Sequence, residues 1–135
     1  MKLSIILPVK NEGTGIAKTL DLVASGISDI NYEIVVINDF SDDDSYEIVD
    51  KKRKENNKIK LFNNNKKGLG GVINTGINKS VGEVICIMMA DMSDDILDLK
   101  TYYKLIQNEN IDAVFGSRFI KGSTVSKYPV RKLIL

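Results

Sequence analysis

Leu3-Ser4-Ile5-Ile6-Leu7-Pro8-Val9-Lys10-Asn11-Glu12 decides how the rest of the chain is read. Leu3 to Leu7 is an apolar run broken only by Ser4, which is what a central strand covered on both faces requires, and Pro8 is expected to close it. Polar residues follow at once, and from Thr14 to Ala24 the residues Ile16, Leu20, Val23 and Ala24 share one helical face. A buried strand, a polar turn and an amphipathic helix make the first half of a βαβ unit.

The same alternation continues outward from this unit. Glu33 to Ile37 reads as a second strand and ends in the polar loop Asn38-Asp39-Phe40-Ser41-Asp42-Asp43-Asp44. A charged helix is expected from Ser45 to Glu55, with Tyr46 and Val49 facing inward. Ile59 to Phe62 is a third strand, and Asn63-Asn64-Asn65 is loop. Leu69, Val72, Ile73, Gly76 and Ile77 recur at helical spacing. Val84 to Met88 is a fourth, buried strand. Ser93 is expected to cap the next helix, with Asp94 and Asp95 in its first turn and Ile96, Leu99, Tyr103 and Ile106 on its buried stripe. Ala113 to Gly116 is a fifth strand by the same reading, and Arg131 to Leu135 the opening of a further helix. The fold expected is α/β, an open and mostly parallel sheet with helices on both faces, forming one domain over residues 1–135.

Composition narrows the chemistry. The 135 residues carry a net charge of +1, which gives no electrostatic footprint for nucleic acid. There is no histidine, so imidazole bases, His-containing triads and His metal ligands are excluded. The single cysteine, Cys86, can form no internal disulfide and reads as a small core residue. Acid–base or metal chemistry must rest on carboxylates, and a bound metal must be a hard, oxygen-preferring cation. The run Lys51-Lys52-Arg53-Lys54 reads as a solvated helix face. The apolar runs fall far short of the roughly 20 residues that span a bilayer, and Met1 to Ile5 lacks the features of a secretory signal. A cytoplasmic chain, resting at most on the cytosolic face of a membrane, is expected.

Open α/β sheets bind ligands beyond the carboxyl ends of their strands. The polar clusters around Asn11, Asp39, Asp91 and Arg118 all fall at such ends. Asp91 follows the fourth strand in Met88-Met89-Ala90-Asp91-Met92-Ser93-Asp94-Asp95, where carboxylates can hold a divalent cation against a diphosphate. Asp94 and Asp95 are read as favouring the helix start. Asp39 is placed to accept from a base N–H or a ribose hydroxyl, with an Asx-turn as the plainer alternative. Gly68-Leu69-Gly70-Gly71 lacks the ending of a P-loop, so its glycines are read as allowing close packing or turning, with Lys66 and Lys67 able to approach a nucleotide. Arg118 suits bidentate phosphate binding or a surface salt bridge equally.

Taken together, these segments resemble glycosyltransferase family 2. Pro8-Val9-Lys10-Asn11-Glu12 is similar to the family's Pro-x-x-Asn-Glu turn, and Asn38-Asp39-Phe40-Ser41-Asp42-Asp43 to its Asp-Asp-Gly-Ser-x-Asp loop. Lys67-Gly68-Leu69-Gly70 resembles its Gly-x-Gly segment, Ala90-Asp91-Met92-Ser93 occupies the place of its Asp-x-Asp motif, and Gly116-Ser117-Arg118-Phe119 with Arg131-Lys132 looks like the phosphate-binding part of its polyprenol-phosphate sugar transferases. The resemblance implies a GT-A, Rossmann-like fold and inverting transfer from a nucleotide-diphosphate sugar, with a polyprenol phosphate as acceptor. It implies donor binding by Pro8, Lys10, Asn11, Glu12, Asp39, Lys67, Gly68, Ala90 and Asp91. It also implies Mg²⁺ or Mn²⁺ at Asp91 and Ser93, and phosphate binding by Arg118 and Arg131. Two motif acids are replaced, by Asn38 and Met89; Met89, with an acceptor-binding portion missing from the chain, leaves a non-catalytic sugar-nucleotide-binding module or inactive fragment as the alternative. The acceptor-binding portion and any general base are expected beyond Leu135.

Overall fold

A computed structural model describes residues 1–108 and 110–117. Eight elements alternate along it: β1 (Leu3–Val9), α1 (Gly15–Gly26), β2 (Tyr32–Asn38), α2 (Ser45–Glu55), β3 (Ile59–Asn63), α3 (Leu69–Lys79), β4 (Val84–Ile87) and α4 (Ile96–Ile106). The four strands form one parallel sheet in the order β3-β2-β1-β4. This is the α/β fold expected, with helices on both faces.

Alternation along each strand divides the core in two. Leu3, Ile5, Leu7 and Val9 of β1, with Ile34 and Val36 of β2, pack against Ile16, Leu20 and Val23 of α1, Val49 of α2, and Leu99 and Tyr103 of α4. Ile6, Val35 and Ile37 point the other way, onto Val72 of α3. Both faces of β1 and β2 are covered, so both strands are buried along their whole length and are mostly apolar without alternation. Gly76 brings α3 close to the sheet: a Cβ there would lie 2.5 Å from Ile6 Cγ2.

Pro8 does not close β1. The strand runs on to Val9, with Pro8 opposite Ile37 of β2. Even-numbered residues of β1 bond towards β4, as in Met88 N–H to Ile6 O at 3.0 Å, and that ladder ends at Ile6 and Ile87. Pro8 therefore sits where no N–H is needed.

Three further expectations are corrected. β4 is half-exposed rather than buried: Val84 and Cys86 pack on the core, but Ile85 and Ile87 share the side of the sheet on which α3 lies, and are exposed because α3 packs over β1 and β2. Ser93 does not cap α4. Asp95 does, accepting from Leu97 N–H at 2.8 Å, while Asp94 turns back to accept from Met89 N–H at 2.8 Å. Ala113 to Gly116 is not a strand, because a short apolar run becomes one only beside a hydrogen-bonding neighbour and no described strand pairs with it. On α2, Val49 is buried, whereas Tyr46 is only partly so.

The amino-terminal end of the sheet is held by a polar cluster. Buried Glu33 accepts from Ser4 Oγ at 2.6 Å, from Val81 N–H at 2.8 Å and from Lys2 Nζ at 3.3 Å. Burial pushes its carboxyl up, but these three donors outweigh that and hold it below the ordinary glutamate value. The basic run on α2 is a solvated face, as its composition implies. Lys52 pairs with Asp21 of α1 at 2.7 Å and with Glu55, and Arg53 and Lys54 pair with Asp50.

Candidate functional site

The loops leaving β1, β2 and β3 are laced together beyond the carboxyl ends of their strands. Asn11 N–H donates to Ser41 Oγ at 3.1 Å, and Asp42 N–H returns to Asn11 Oδ1 at 3.0 Å. The N–H groups of Glu12 and Gly13 both reach Ser45 Oγ, at 2.9 and 3.0 Å, and Gly13 N–H also reaches Asp43 Oδ2 at 2.9 Å. Ser45 is fully buried and begins α2. One hydroxyl thus ties the start of α2 to the turn after β1, and the first two loops form a single unit.

Asp39 joins this unit to the third loop. Its buried carboxylate accepts from Asn64 Nδ2 at 2.7 Å and from Gly68 N–H, which lies 3.1 Å from each oxygen. Gly68, at φ +102°, takes a conformation closed to most side chains and serves as N-cap of α3. Asn64 also donates to Lys66 O at 2.6 Å and accepts from Thr75 Oγ1 at 3.1 Å. Two carboxylate oxygens offer about four lone-pair sites, so Asp39 keeps capacity for a ligand donor. Lys10 and Lys67 are exposed on this rim, and Pro8 is buried beneath it.

The fourth loop is anchored separately. Buried Ala90 accepts at its carbonyl from Thr19 Oγ1 of α1 at 2.8 Å. Exposed Asp91 follows, with Oδ1 accepting from Ser93 N–H at 3.0 Å. Desolvation, then the negative charges of Asp91 and Asp43, raise the Glu12 carboxyl above its ordinary value. Asp91 therefore shares an electrostatic neighbourhood with the turn after β1. Asp43 itself lies below the usual carboxylate range, held there chiefly by the Ser45 hydroxyl and by the backbone N–H groups of Ser45 and Gly13.

No group of three or more carboxylates or thiols among the described residues is poised to enclose a metal ion. Asp91 is instead suited to a shared site, in which a hard cation takes one protein carboxylate and draws its other oxygens from a bound phosphate and water. Cys86 is the packing residue expected, its thiol pushed up to about 11 by burial.

Three residues that organise this rim, Ser41, Ser45 and Asn64, carry no distinct functional signal in the sequence. Asn64 lies in an asparagine run that reads as loop, and its signal is only in the partners it finds in space. Arg118 and Arg131, expected to bind phosphate, lie outside the described residues.

The family model described as Glycosyl transferase family 2 matches residues 4–134. The chain belongs to glycosyl transferase family 2. Among curated members, a dolichol-phosphate mannosyltransferase from Pyrococcus furiosus is 32% identical, over 99% of this chain and 38% of its own length. The glycosyltransferase GlyG of Streptococcus pneumoniae is 30% identical, over 87% of this chain and 39% of its own. The chain thus spans under two-fifths of these relatives. Among solved structures, the mannosyltransferase PcManGT from Pyrobaculum calidifontis, in complex with GDP-Man and Mn²⁺, superposes with a TM-score of 0.68 at 22% identity, covering 81% of this chain and 33% of that one. S. aureus TarS in complex with UDP-GlcNAc gives 0.65 at 26% identity, covering 82% and 32%. These likenesses establish the GT-A fold, and the rim described above belongs to a family 2 chain.

Proposed function

We propose that residues 1–135 are the donor-binding part of an enzyme that moves a sugar, with inversion, from a nucleotide-diphosphate sugar to an acceptor phosphate carried on a polyprenol. One observation carries the reading: an exposed carboxylate, Asp91, stands beyond the carboxyl end of β4 within electrostatic reach of the turn after β1. Asp91, with Ser93 beside it, would hold Mg²⁺ or Mn²⁺ against the donor diphosphate. When bound, the cation supplies Lewis-acid stabilisation of the departing diphosphate. Asp39, with Asn11, Glu12 and the Lys67–Gly68 turn, would fix the nucleoside, and Arg118 and Arg131 would bind phosphate. An acceptor that is already a phosphate is ionised and needs little help from a base. The polyprenol acceptor is supported by the activity for which the Pyrococcus relative is named. Mn²⁺ and a nucleotide sugar are supported by the ligands of PcManGT. Such an acceptor would place the enzyme at the cytosolic face of a membrane, although no helix among the described residues is long and apolar enough to cross one.

Calorimetric titration of GDP and UDP, with and without Mn²⁺, tests the reading. One of them should bind more tightly with Mn²⁺, and Asp91→Ala should abolish that difference. Equal affinity under all four conditions of protein and metal would sink it. Met89, in the place of the first motif acid and with its N–H held by Asp94, favours a second reading, a donor-binding module without turnover. Donor hydrolysis or lipid-linked sugar formed by the full-length gene product would exclude that reading.

A further inference from the structure

Among the described residues, three that are not glycine have positive φ: Asn11 at 54°, Phe40 at 57° and Met92 at 58°. Asparagine tolerates this region because its short polar side chain can bond locally, as Asn11 does to Asp42 N–H. Phenylalanine has no such recourse, and a bulky side chain at positive φ costs stability. Phe40 recovers little by packing, since 53% of it is exposed. Glycine would suit the backbone and remove the exposed ring.

The turn nevertheless imposes this conformation from both sides. Before it, Asp39 N–H bonds to Val9 O at 2.8 Å, and the Asp39 carboxylate is fixed to Asn64 and Gly68. After it, Ser41 N–H reaches back to Asn38 Oδ1 at 3.2 Å, and Ser41 Oγ accepts from Asn11 N–H. The pattern recurs across the sheet. Met92 follows Asp91 as Phe40 follows Asp39, and it is also strained, 44% exposed and succeeded by a serine whose N–H turns back, here to Asp91 Oδ1. Each of the two strand-end carboxylates thus carries an apolar neighbour held out at the rim.

We infer that Phe40 is a binding residue for the donor, its ring face forming a platform on which the nucleobase stacks. The inference rests on the proposed donor site and adds to it the group that takes the base. Stacking selects a flat, partly apolar π-system, which in a nucleotide-diphosphate sugar only the base provides. The placement agrees. β2 and β4 flank β1, so their ends are two strand spacings apart, about 10 Å, which separates a base beside Asp39 and Phe40 from a diphosphate at Asp91. Strain kept at an exposed turn is then explained by ligand contact, which a glycine in the place of Phe40 could not make.

The test compares wild type with Phe40→Gly, Phe40→Leu and Phe40→Tyr, each titrated in Mn²⁺ with GDP, UDP and inorganic pyrophosphate and melted thermally. Phe40→Gly should melt a few degrees higher than wild type, because the strain is gone. Despite this it should bind the preferred nucleoside diphosphate about 5- to 100-fold more weakly. Phe40→Leu, apolar and still strained, should lose affinity similarly, while Phe40→Tyr stays within about twofold, on the stacking argument. Pyrophosphate affinity should be the same in all four proteins. Full nucleoside diphosphate affinity in Phe40→Gly or Phe40→Leu overturns the platform while leaving the donor site standing. A wild-type protein that binds neither GDP nor UDP removes the donor site, and the platform with it.

Discussion

Gly70 and Gly71 are adjacent, in the same first turn of α3, and chemically identical, yet alanine should have opposite effects at the two. A Cβ on Gly70 would meet nothing within 4 Å, so Gly70→Ala gains the helix preference of alanine, about 0.5–1 kcal/mol. A Cβ on Gly71 would lie 1.7 Å from Lys66 O and 2.8 Å from its carbonyl carbon, both backbone atoms. Ordinary contact requires that carbonyl to retreat by about 1.5–2 Å. The retreat breaks the 2.6 Å bond from Asn64 Nδ2, whose amide also holds the Asp39 carboxylate. Overpacking of this kind costs about 1–3 kcal/mol, and the lost bond at a buried amide about 1 more. Both positions are helical, so the preference for alanine cancels in the comparison, and the two variants should differ by about 2–4 kcal/mol, or about 6–15 °C in melting temperature for a chain of this size. The chain has no tryptophan, so far-UV circular dichroism in urea is the suitable assay. Gly71→Ala should also weaken nucleoside diphosphate binding, since the loop it displaces carries Gly68. Two variants within about 0.5 kcal/mol of each other, the ordinary range for inconsequential surface changes, would refute the reasoning that this glycine sets the loop.

Other consequences follow from the carboxylates. Glu33→Ala should cost about 2–4 kcal/mol in urea unfolding, because Ser4 and Val81 N–H lose a buried acceptor. The Glu33 carboxyl lies below its ordinary value in the folded state, so its contribution is present above the unfolded value and fades as pH falls through the folded one. The gap between wild type and Glu33→Ala should narrow in acid, and a gap independent of pH would contradict the network. Glu12 has the opposite sign. Its carboxyl is raised by desolvation and by Asp91 and Asp43, so wild type loses stability as pH rises from the ordinary glutamate value through the folded one. Glu12→Gln should therefore be more stable than wild type at pH 7 and no more stable below the ordinary value, as melts across that range will register.

Much of the architecture is legible locally, because burial on both faces of a strand or one face of a helix leaves a periodic trace. The bounds of α2 follow residue for residue from Ser45 to Glu55, and the apolar runs locate β1, β2 and β3 to within two residues. The errors arise where a neighbour decides. Ala113 to Gly116 has strand composition but pairs with no strand among the described residues, Ser93 loses the helix start to Asp95, and Pro8 stays within β1 because the ladder on its N–H side has ended. Of the rim, Asp39 and Asp91 are conspicuous as acids at strand ends, whereas Asn64 and Ser45 are not.

The residues alone determine an α/β chain without imidazole chemistry, with its acids at the ends of parallel strands, because hydrophobic period and residue type are properties of short segments. Only the tertiary structure decides that Asn64 grips an aspartate 25 positions away, that Val81 N–H caps a glutamate 48 positions away, and that Phe40 is held at positive φ. Such bonds join residues that the folded sheet brings together, and their geometry exists only once every strand has found its place.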